Sequence, residues 1–217
     1  MARNVFISFR YSDGHEYKDE LAGLFDDSED TVDYSEDEDR SQMSDSSIQQ
    51  FLYSKLKRSS VTIILLTPQA INYKIGTRIN PSTYRFESYY DDWIYDEVRY
   101  SLEDREGNKT NGLVAVYVPE AEYQLFRRST HKCSVCNKES EILSMLDFNN
   151  LVRKNMMNVK DGFKVNKCPG VYDSDYDSYC SLVSYADFKK NFGDYIDKAY
   201  QKRDELYKYN LCKRLQP

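Results

Sequence analysis

Apolar positions in the first half of the chain alternate between two patterns. Continuous, β-branched-rich apolar runs predict strands buried on both faces of a sheet, and apolar residues spaced three and four apart predict amphipathic helices. The strand-like runs are 4–9, 60–68 and 112–119. The helix-like segments are about 16–25, 46–56 and 93–102. Strands that alternate with helices are typical of an α/β fold with a parallel sheet.

Two segments between these elements are polar. Residues 26–40 carry nine acidic side chains and one arginine, which predicts a solvated loop with room for one short strand at 31–34. The polar loop 10–14 is expected to separate the first strand from the first helix. Residues 69–92 form a long, tyrosine-rich connection, and a connection of that length is expected to line a site or form a lid.

The whole chain, 1–217, is interpreted as a single domain. Residues 4–118 form its core, and regular spacing of apolar residues returns at 185–212, where it predicts one long terminal helix. Residues 120–184 show no clear periodicity, so they are interpreted as an insertion or cap before that helix.

Composition narrows the possible functions. The net charge of -6 argues against a protein that tracks a nucleic-acid backbone. No window approaches the roughly 18 apolar residues of a membrane span, so we expect a cytoplasmic protein without a membrane partner. The 20 tyrosines fit a wet, aromatic-rich surface or groove.

The one tryptophan is the most informative residue. A helix over 93–102 places Trp93 and Glu97 one turn apart on one face, at the margin of its apolar stripe. An aromatic ring beside a carboxylate can hold a nucleotide sugar. Most such pairs are nevertheless structural, with a half-buried tryptophan next to a solvated glutamate, so the spacing alone leaves both interpretations open.

Three segments together resemble the TIR domain, in the bacterial TIR-like branch that includes the signalling subunit of Thoeris antiphage defence. They are Val5-Phe6-Ile7-Ser8-Phe9-Arg10 as opening strand and loop, 60–68 as central strand, and 92–98 as a Trp-x-x-x-Glu helix. The resemblance spans 4–118, and residues 120–184 do not match the usual compact pattern. It implies a flavodoxin-like parallel sheet flanked by helices.

The resemblance also implies an activity. In catalytic members a glutamate at the position of Glu97 cleaves NAD+ at the nicotinamide–ribose bond, so NAD+ is expected as substrate and no bound cofactor is expected. Trp93 would stack on or wall off the ribose and nicotinamide. The expected substrate-binding residues besides Trp93 are Ser8, Phe9, Arg10 and Asp45. Asp45 is marginal among them, because a helix cap explains it equally well.

The product and the partners follow only from the resemblance. It implies a cyclic ADP-ribose-type second messenger that activates a downstream effector, together with self-association through TIR–TIR contacts. Two alternatives stay open: a TIR interaction module without catalysis, and a related nucleotide-sugar hydrolase or transferase.

The cysteines admit two interpretations. Cys133, Cys136, Cys168 and Cys180, with His131 nearby, could supply zinc ligands. The second pair is too widely spaced for a zinc ribbon, so ordinary reduced thiols are favoured and no metal site is expected. A calcium loop at 173–184 is rejected, because serines replace its glycine and its closing glutamate.

Overall fold

The computed structural model describes residues 3–26, 31–33, 45–107, 109–137, 139–145, 150–166, 168 and 171–217. Its strands are β1 (Arg3–Ser8), β2 (Thr31–Asp33), β3 (Val61–Leu66), β4 (Ile75–Ile79), β5 (Phe86–Tyr90), β6 (Gly112–Tyr117), β7 (Phe126–Lys132), β8 (Glu139–Met145) and β9 (Cys180–Ser184). Its α-helices are α1 (Tyr11–Asp26), α2 (Asp45–Arg58), α3 (Trp93–Ser101), α4 (Pro119–Leu125), α5 (Leu151–Lys154), α6 (Tyr185–Lys190) and α7 (Phe192–Asp204). Short 3₁₀ helices occur at Asp161–Phe163 and Leu206–Lys208.

A five-stranded sheet in the order β2-β1-β3-β6-β9 forms the centre, and all its neighbouring strands are parallel. Counted along the sheet's own strands this is 2-1-3-4-5, the flavodoxin-like order. All six residues of β3 are buried, as expected of a strand covered on both faces. The predicted fold class is confirmed.

The first helix begins earlier than predicted. Residues from Tyr11 onward are already helical, so the expectation of a loop over 10–14 was wrong. Asp13 explains the early start, because its carboxylate accepts hydrogen bonds from Thr67 Oγ1 at 2.7 Å and from Gln69 N at 2.9 Å. These bonds anchor the first turn of α1 to the loop after β3. The polar character of residues 10–14 does not indicate hydrogen bonds to a segment so far along the chain.

The acidic segment contains the short strand that was expected. β2 pairs in parallel with β1, with Thr31 opposite Arg3 and Asp33 opposite Val5. The loop expected over the rest of 26–40 falls largely on 27–30 and 34–40, outside the described residues. Helix α2 begins at Asp45, one residue before the predicted segment.

The long polar connection at 69–92 contains an unpredicted β-hairpin. Strands β4 and β5 pair antiparallel, from Ile75 opposite Tyr90 to Ile79 opposite Phe86. Most of their side chains are exposed, and Phe86 is 80% exposed. A strand with no buried face has no alternation of apolar and polar residues, which explains why the pattern did not indicate it.

The region 120–184 is only partly an insertion. It contains the antiparallel pair β7–β8, which is separate from the main sheet, but also β9, which pairs with β6 at the sheet edge. The terminal region 185–212 is also not one helix. Asn191, with φ of -137° and ψ of 33°, separates α6 from α7, so the prediction of a single long helix was wrong.

Helix α7 lies directly against the start of β6. A Cβ atom at Gly112 would lie 2.0 Å from the carbonyl oxygen of Ala199, so the backbones of β6 and α7 are in direct contact at this point. Within the described part of the chain, no helix combines the length and apolar character needed to cross a membrane.

We expect Gly112→Ala to destabilise the protein by about 3 kcal/mol or more, because the added methyl group has to push α7 off the sheet. Chemical denaturation measures the change. Gly23→Ala, in α1 with nothing within 4 Å of the added Cβ, is the control and should stabilise by about 0.5–1 kcal/mol. Equal stability of the Gly112 variant and the native protein would contradict the close contact.

Candidate functional site

The candidate site lies at the carboxyl end of β1. Ser8 is the last residue of β1, and Phe9 and Arg10 connect it to α1. β3 lies beside β1 and ends at Leu66, so its following loop opens at the same edge. The strand order reverses between β1 and β3, and ligands of doubly wound sheets bind at such reversals.

Helix α3 brings the acidic residue to this edge. Asp92 caps its N-terminus, because the Asp92 side chain accepts a hydrogen bond from Ile94 N at 3.1 Å. The predicted apolar stripe of Ile94, Val98 and Leu102 is buried. A 2.8 Å hydrogen bond between the hydroxyls of Ser101 and Thr62 joins the last turn of α3 to β3.

Glu97 is buried and points at β1. It is 7% exposed, and the Ser8 hydroxyl donates a 2.5 Å hydrogen bond to its Oε2. Burial raises the pKa of Glu97 to about 8; the Ser8 hydrogen bond opposes this, and the charges of Asp92 and Asp96 add to it. Among the described side chains none forms an ion pair with Glu97. A buried acid with a pKa displaced this far is a candidate functional group.

Residues 6–76 match the family described as Thoeris protein ThsB, TIR-like domain. Over these residues the chain is similar to the TIR-like domain of Thoeris ThsB. The matched segment runs from β1 to the start of β4, so it includes Ser8, Phe9 and Arg10 and ends before α3. Trp93 and Glu97 lie outside the matched residues, so their roles depend on the geometry.

Arg10 is held in an ion pair. Its Nη2 lies 2.6 Å from Asp92 Oδ2, and the two side chains are 13% and 0% exposed. The same carboxylate oxygen accepts a hydrogen bond from Lys74 N at 2.8 Å. Arg10 therefore helps to position the N-terminus of α3, and its role in binding substrate stays a prediction. Its Nε atom is buried and has no hydrogen-bond partner among the described residues.

The aromatic residues lie nearer the surface. Trp93 begins α3, one turn before Glu97, and is 37% exposed. Phe9 is half-buried and packs against the main core. The backbone of Asp45 begins α2, but its side chain lies outside the described part of the chain, so its role stays a prediction.

The structure therefore joins Ser8 to Glu97 and pairs Arg10 with Asp92, which was not predicted as a site residue. An aspartate just before the first apolar position of a helix is a recognisable N-cap signal. Its ion pair with Arg10 joins residues far apart in the chain, and no local pattern indicates such a pair.

A cavity of about 480 Å³ lies at the opposite edge of the sheet. Arg105, Lys109 and Arg203 contribute to its lining, and Lys109 precedes the amino end of β6. Since Glu97 lies at the carboxyl end of β1, this cavity is not part of the candidate site.

Proposed function

We propose that this TIR-like protein cleaves NAD+ at the bond between nicotinamide and ribose. The observation that carries the proposal is Glu97, a buried acid fixed by Ser8 at the carboxyl end of β1, one helical turn from the partly exposed Trp93. The similarity of residues 6–76 to the TIR-like domain of Thoeris ThsB supports the proposal, and with it a role in antiphage defence.

The proposed chemistry needs little more than one carboxylate. Nicotinamide is cationic in NAD+, so it leaves as a neutral molecule and takes the electron pair of the broken C–N bond without a general acid. The ribose carbon then carries oxocarbenium-like positive charge. Ionised Glu97 stabilises that charge electrostatically, as carboxylates do in glycoside cleavage. Trp93 walls the ribose and nicotinamide from solvent.

Two nucleophiles can complete the reaction. Attack by water, with loss of one proton, gives ADP-ribose. Attack by an atom of the same ADP-ribose molecule gives a cyclic product. We propose the cyclic form, which would leave the enzyme as a second messenger and activate a separate effector. Self-association through TIR–TIR contacts is proposed to complete the site.

The decisive experiment incubates the purified full-length chain with NAD+ over a range of protein concentrations. Liquid chromatography measures released nicotinamide, and mass spectrometry distinguishes ADP-ribose from its cyclic form, which is lighter by one water. Parallel samples also receive lysate of infected cells, which supplies any molecule that is needed to activate the protein. Absence of nicotinamide release under all these conditions would overturn the proposal.

The low exposure of Glu97 favours one alternative. At 7% exposure the side chain could serve mainly to fix α3 on β1, as in a TIR interaction module without catalysis. Such a module would self-associate in the same assay without consuming NAD+. A hydrolase or transferase acting on other nucleotide sugars would instead turn over free nucleosides.

The activity should depend on pH through Glu97. With a pKa of about 8 the group is largely protonated at neutral pH, and only the carboxylate stabilises the ribose cation. We expect kcat/KM to rise with pH and level off above about pH 8. Because the cationic nicotinamide ring of bound NAD+ favours the ionised acid, the rise in kcat should lie at lower pH. Initial rates of nicotinamide release measure both profiles, and a flat kcat/KM would contradict this role.

A further inference from the structure

A second cluster of reactive side chains lies in the region 120–184, apart from the candidate site. Strands β7 and β8 form a hairpin of two seven-residue strands, and the turn between them contains Cys133-Ser134-Val135-Cys136. The hairpin pairs with no other strand of the described structure. An isolated two-stranded hairpin is marginally stable in water, so this one needs support from outside its own hydrogen bonds.

A third cysteine meets this turn from a distant part of the chain. Cys168 follows the 3₁₀ helix Asp161–Phe163, and the Sγ atoms of Cys133, Cys136 and Cys168 all lie within 4.8 Å of one another. All three are free thiols; Cys133 is buried, Cys168 half-buried and Cys136 exposed. Thiolates of a tetrahedral zinc site, each about 2.3 Å from the metal, lie about 3.8 Å apart, so the cluster has the right size.

The turn has the local form of a metal-binding knuckle. The backbone N–H of Val135 donates a hydrogen bond to Cys133 Sγ at 3.4 Å, and Asn137 N donates to Cys133 O at 2.9 Å. Asn137 has a positive φ of 56°, which lets the chain reverse directly after the C-x-x-C segment. Both sulfur atoms of the segment are thereby turned toward Cys168.

We propose that Cys133, Cys136 and Cys168 bind one zinc ion as thiolates, with water or another external ligand in the fourth position. Soft thiolates select zinc over calcium or magnesium, whose preferred ligands are oxygen atoms. A disulfide could use only two of the three sulfur atoms. No further cysteine, histidine or carboxylate of the described residues joins the group.

The proposed site differs from both interpretations of the sequence. Cys180, expected to be a fourth member of any zinc set, is fully buried in β9 and takes no part in the described group. The wide spacing that favoured free thiols is that between Cys168 and Cys180, and Cys180 is not a member of the described cluster. Cys168 approaches the C-x-x-C segment only in the folded chain.

The ion would link the tip of the β7–β8 hairpin to the segment that leads into β9. Lys164 Nζ donates a hydrogen bond to the carbonyl of Cys168 at 2.7 Å, and Val165 N donates to Asp177 Oδ1 at 2.8 Å. The first bond lies within the Cys168 loop, and the second ties the loop to the segment before β9. Zinc would thus stabilise the folded hairpin, in the manner of a structural site.

The test measures zinc in the purified full-length protein, prepared with reductant and without chelator. We expect about one zinc per chain by plasma mass spectrometry. We also expect thiolate-to-metal charge-transfer absorption when Co²⁺ replaces zinc. Cys136→Ser and Cys168→Ser should each lower the zinc content at least about tenfold after dialysis against a competing chelator. Cys212→Ser, the same change at a thiol outside the cluster, should keep it.

Folding is checked separately from metal binding. Circular dichroism should show native secondary structure for Cys136→Ser, because Cys136 is exposed. Added zinc should raise the melting temperature of the native protein and of Cys212→Ser, and leave that of Cys136→Ser unchanged. The proposal would be overturned if the native protein contained no zinc, and if added Zn²⁺ did not raise its melting temperature and added Co²⁺ gave no charge-transfer absorption. Intact mass showing a disulfide within the cluster under reducing conditions would also overturn it.

Discussion

Replacing Glu97 with glutamine is expected to lower the rate of nicotinamide release at least about 100-fold, the size of effect seen when one preorganised electrostatic group is lost. Glutamine has almost the same shape and can still accept the hydrogen bond from Ser8. It carries no negative charge at any pH, so it cannot stabilise the ribose cation. Initial rates of the variant and the native protein are compared at saturating NAD+ near pH 8.5, about the pH at which Glu97 of the native protein is mostly ionised.

The matched control for this variant is Glu103→Gln. Glu103 follows the same helix, but its carboxylate pairs with Arg99 at 2.6 Å and with Arg214 at 3.3 Å instead of facing β1. Loss of the Glu103 charge should change the rate of nicotinamide release by less than about twofold, because a solvent-accessible ion pair contributes little. Native rates in the Glu97 variant, or equal losses in both variants, would rule out the proposed role of Glu97.

Glu97→Gln should also increase the stability of the folded protein at alkaline pH. The pKa of Glu97 is about 8 in the folded protein and close to the ordinary 4.5 in the unfolded chain. The unfolded chain therefore loses this proton first, and stability falls as pH rises from about 4.5 to about 8 and stays reduced above that. Glutamine avoids the penalty, so the variant should be more stable by a few kcal/mol at pH 8.5 and equal to the native protein near pH 4. Urea denaturation at both pH values measures the difference.

Replacing Asp92 with alanine is expected to reduce the free energy of unfolding by about 3–5 kcal/mol, the usual result of removing one partner from a buried ion pair. Arg10 would keep its charge in a site where its side chain is only 13% exposed. Helix α3 would also lose its N-cap, which contributes about 1 kcal/mol. Urea denaturation at pH 7 measures the loss, and NAD+ turnover should fall because α3 positions Glu97.

The neighbouring aspartate provides the control. Asp91 is exposed, and its carboxylate forms no hydrogen bond or ion pair with the described residues, so Asp91→Ala should change stability by less than about 0.5 kcal/mol. Asp92→Asn keeps an oxygen for the cap and removes the charge, so its stability should lie between those of Asp92→Ala and the native protein. A loss below about 1 kcal/mol in Asp92→Ala would contradict a structural role for the Arg10–Asp92 pair.

The sequence by itself determined the elements that have a strong burial pattern. The runs that became β1, β3 and β6 were evident because strands buried on both faces must be continuously apolar. The stripe of Ile94, Val98 and Leu102 likewise located α3, and with it the one-turn spacing of Trp93 and Glu97. From these elements the parallel α/β sheet followed, because strands alternating with helices have few other arrangements.

Only the tertiary structure decided which distant residues meet. The bond from Ser8 to Glu97, the ion pair of Arg10 with Asp92 and the approach of Cys168 to the C-x-x-C turn each join separate segments of the chain. The exposed β4–β5 hairpin and the short edge strand β9 also escaped the pattern. Hydrophobic periodicity records which face of an element is buried; it contains no information on which side chain of another element lies opposite, and that pairing creates the chemistry of a site.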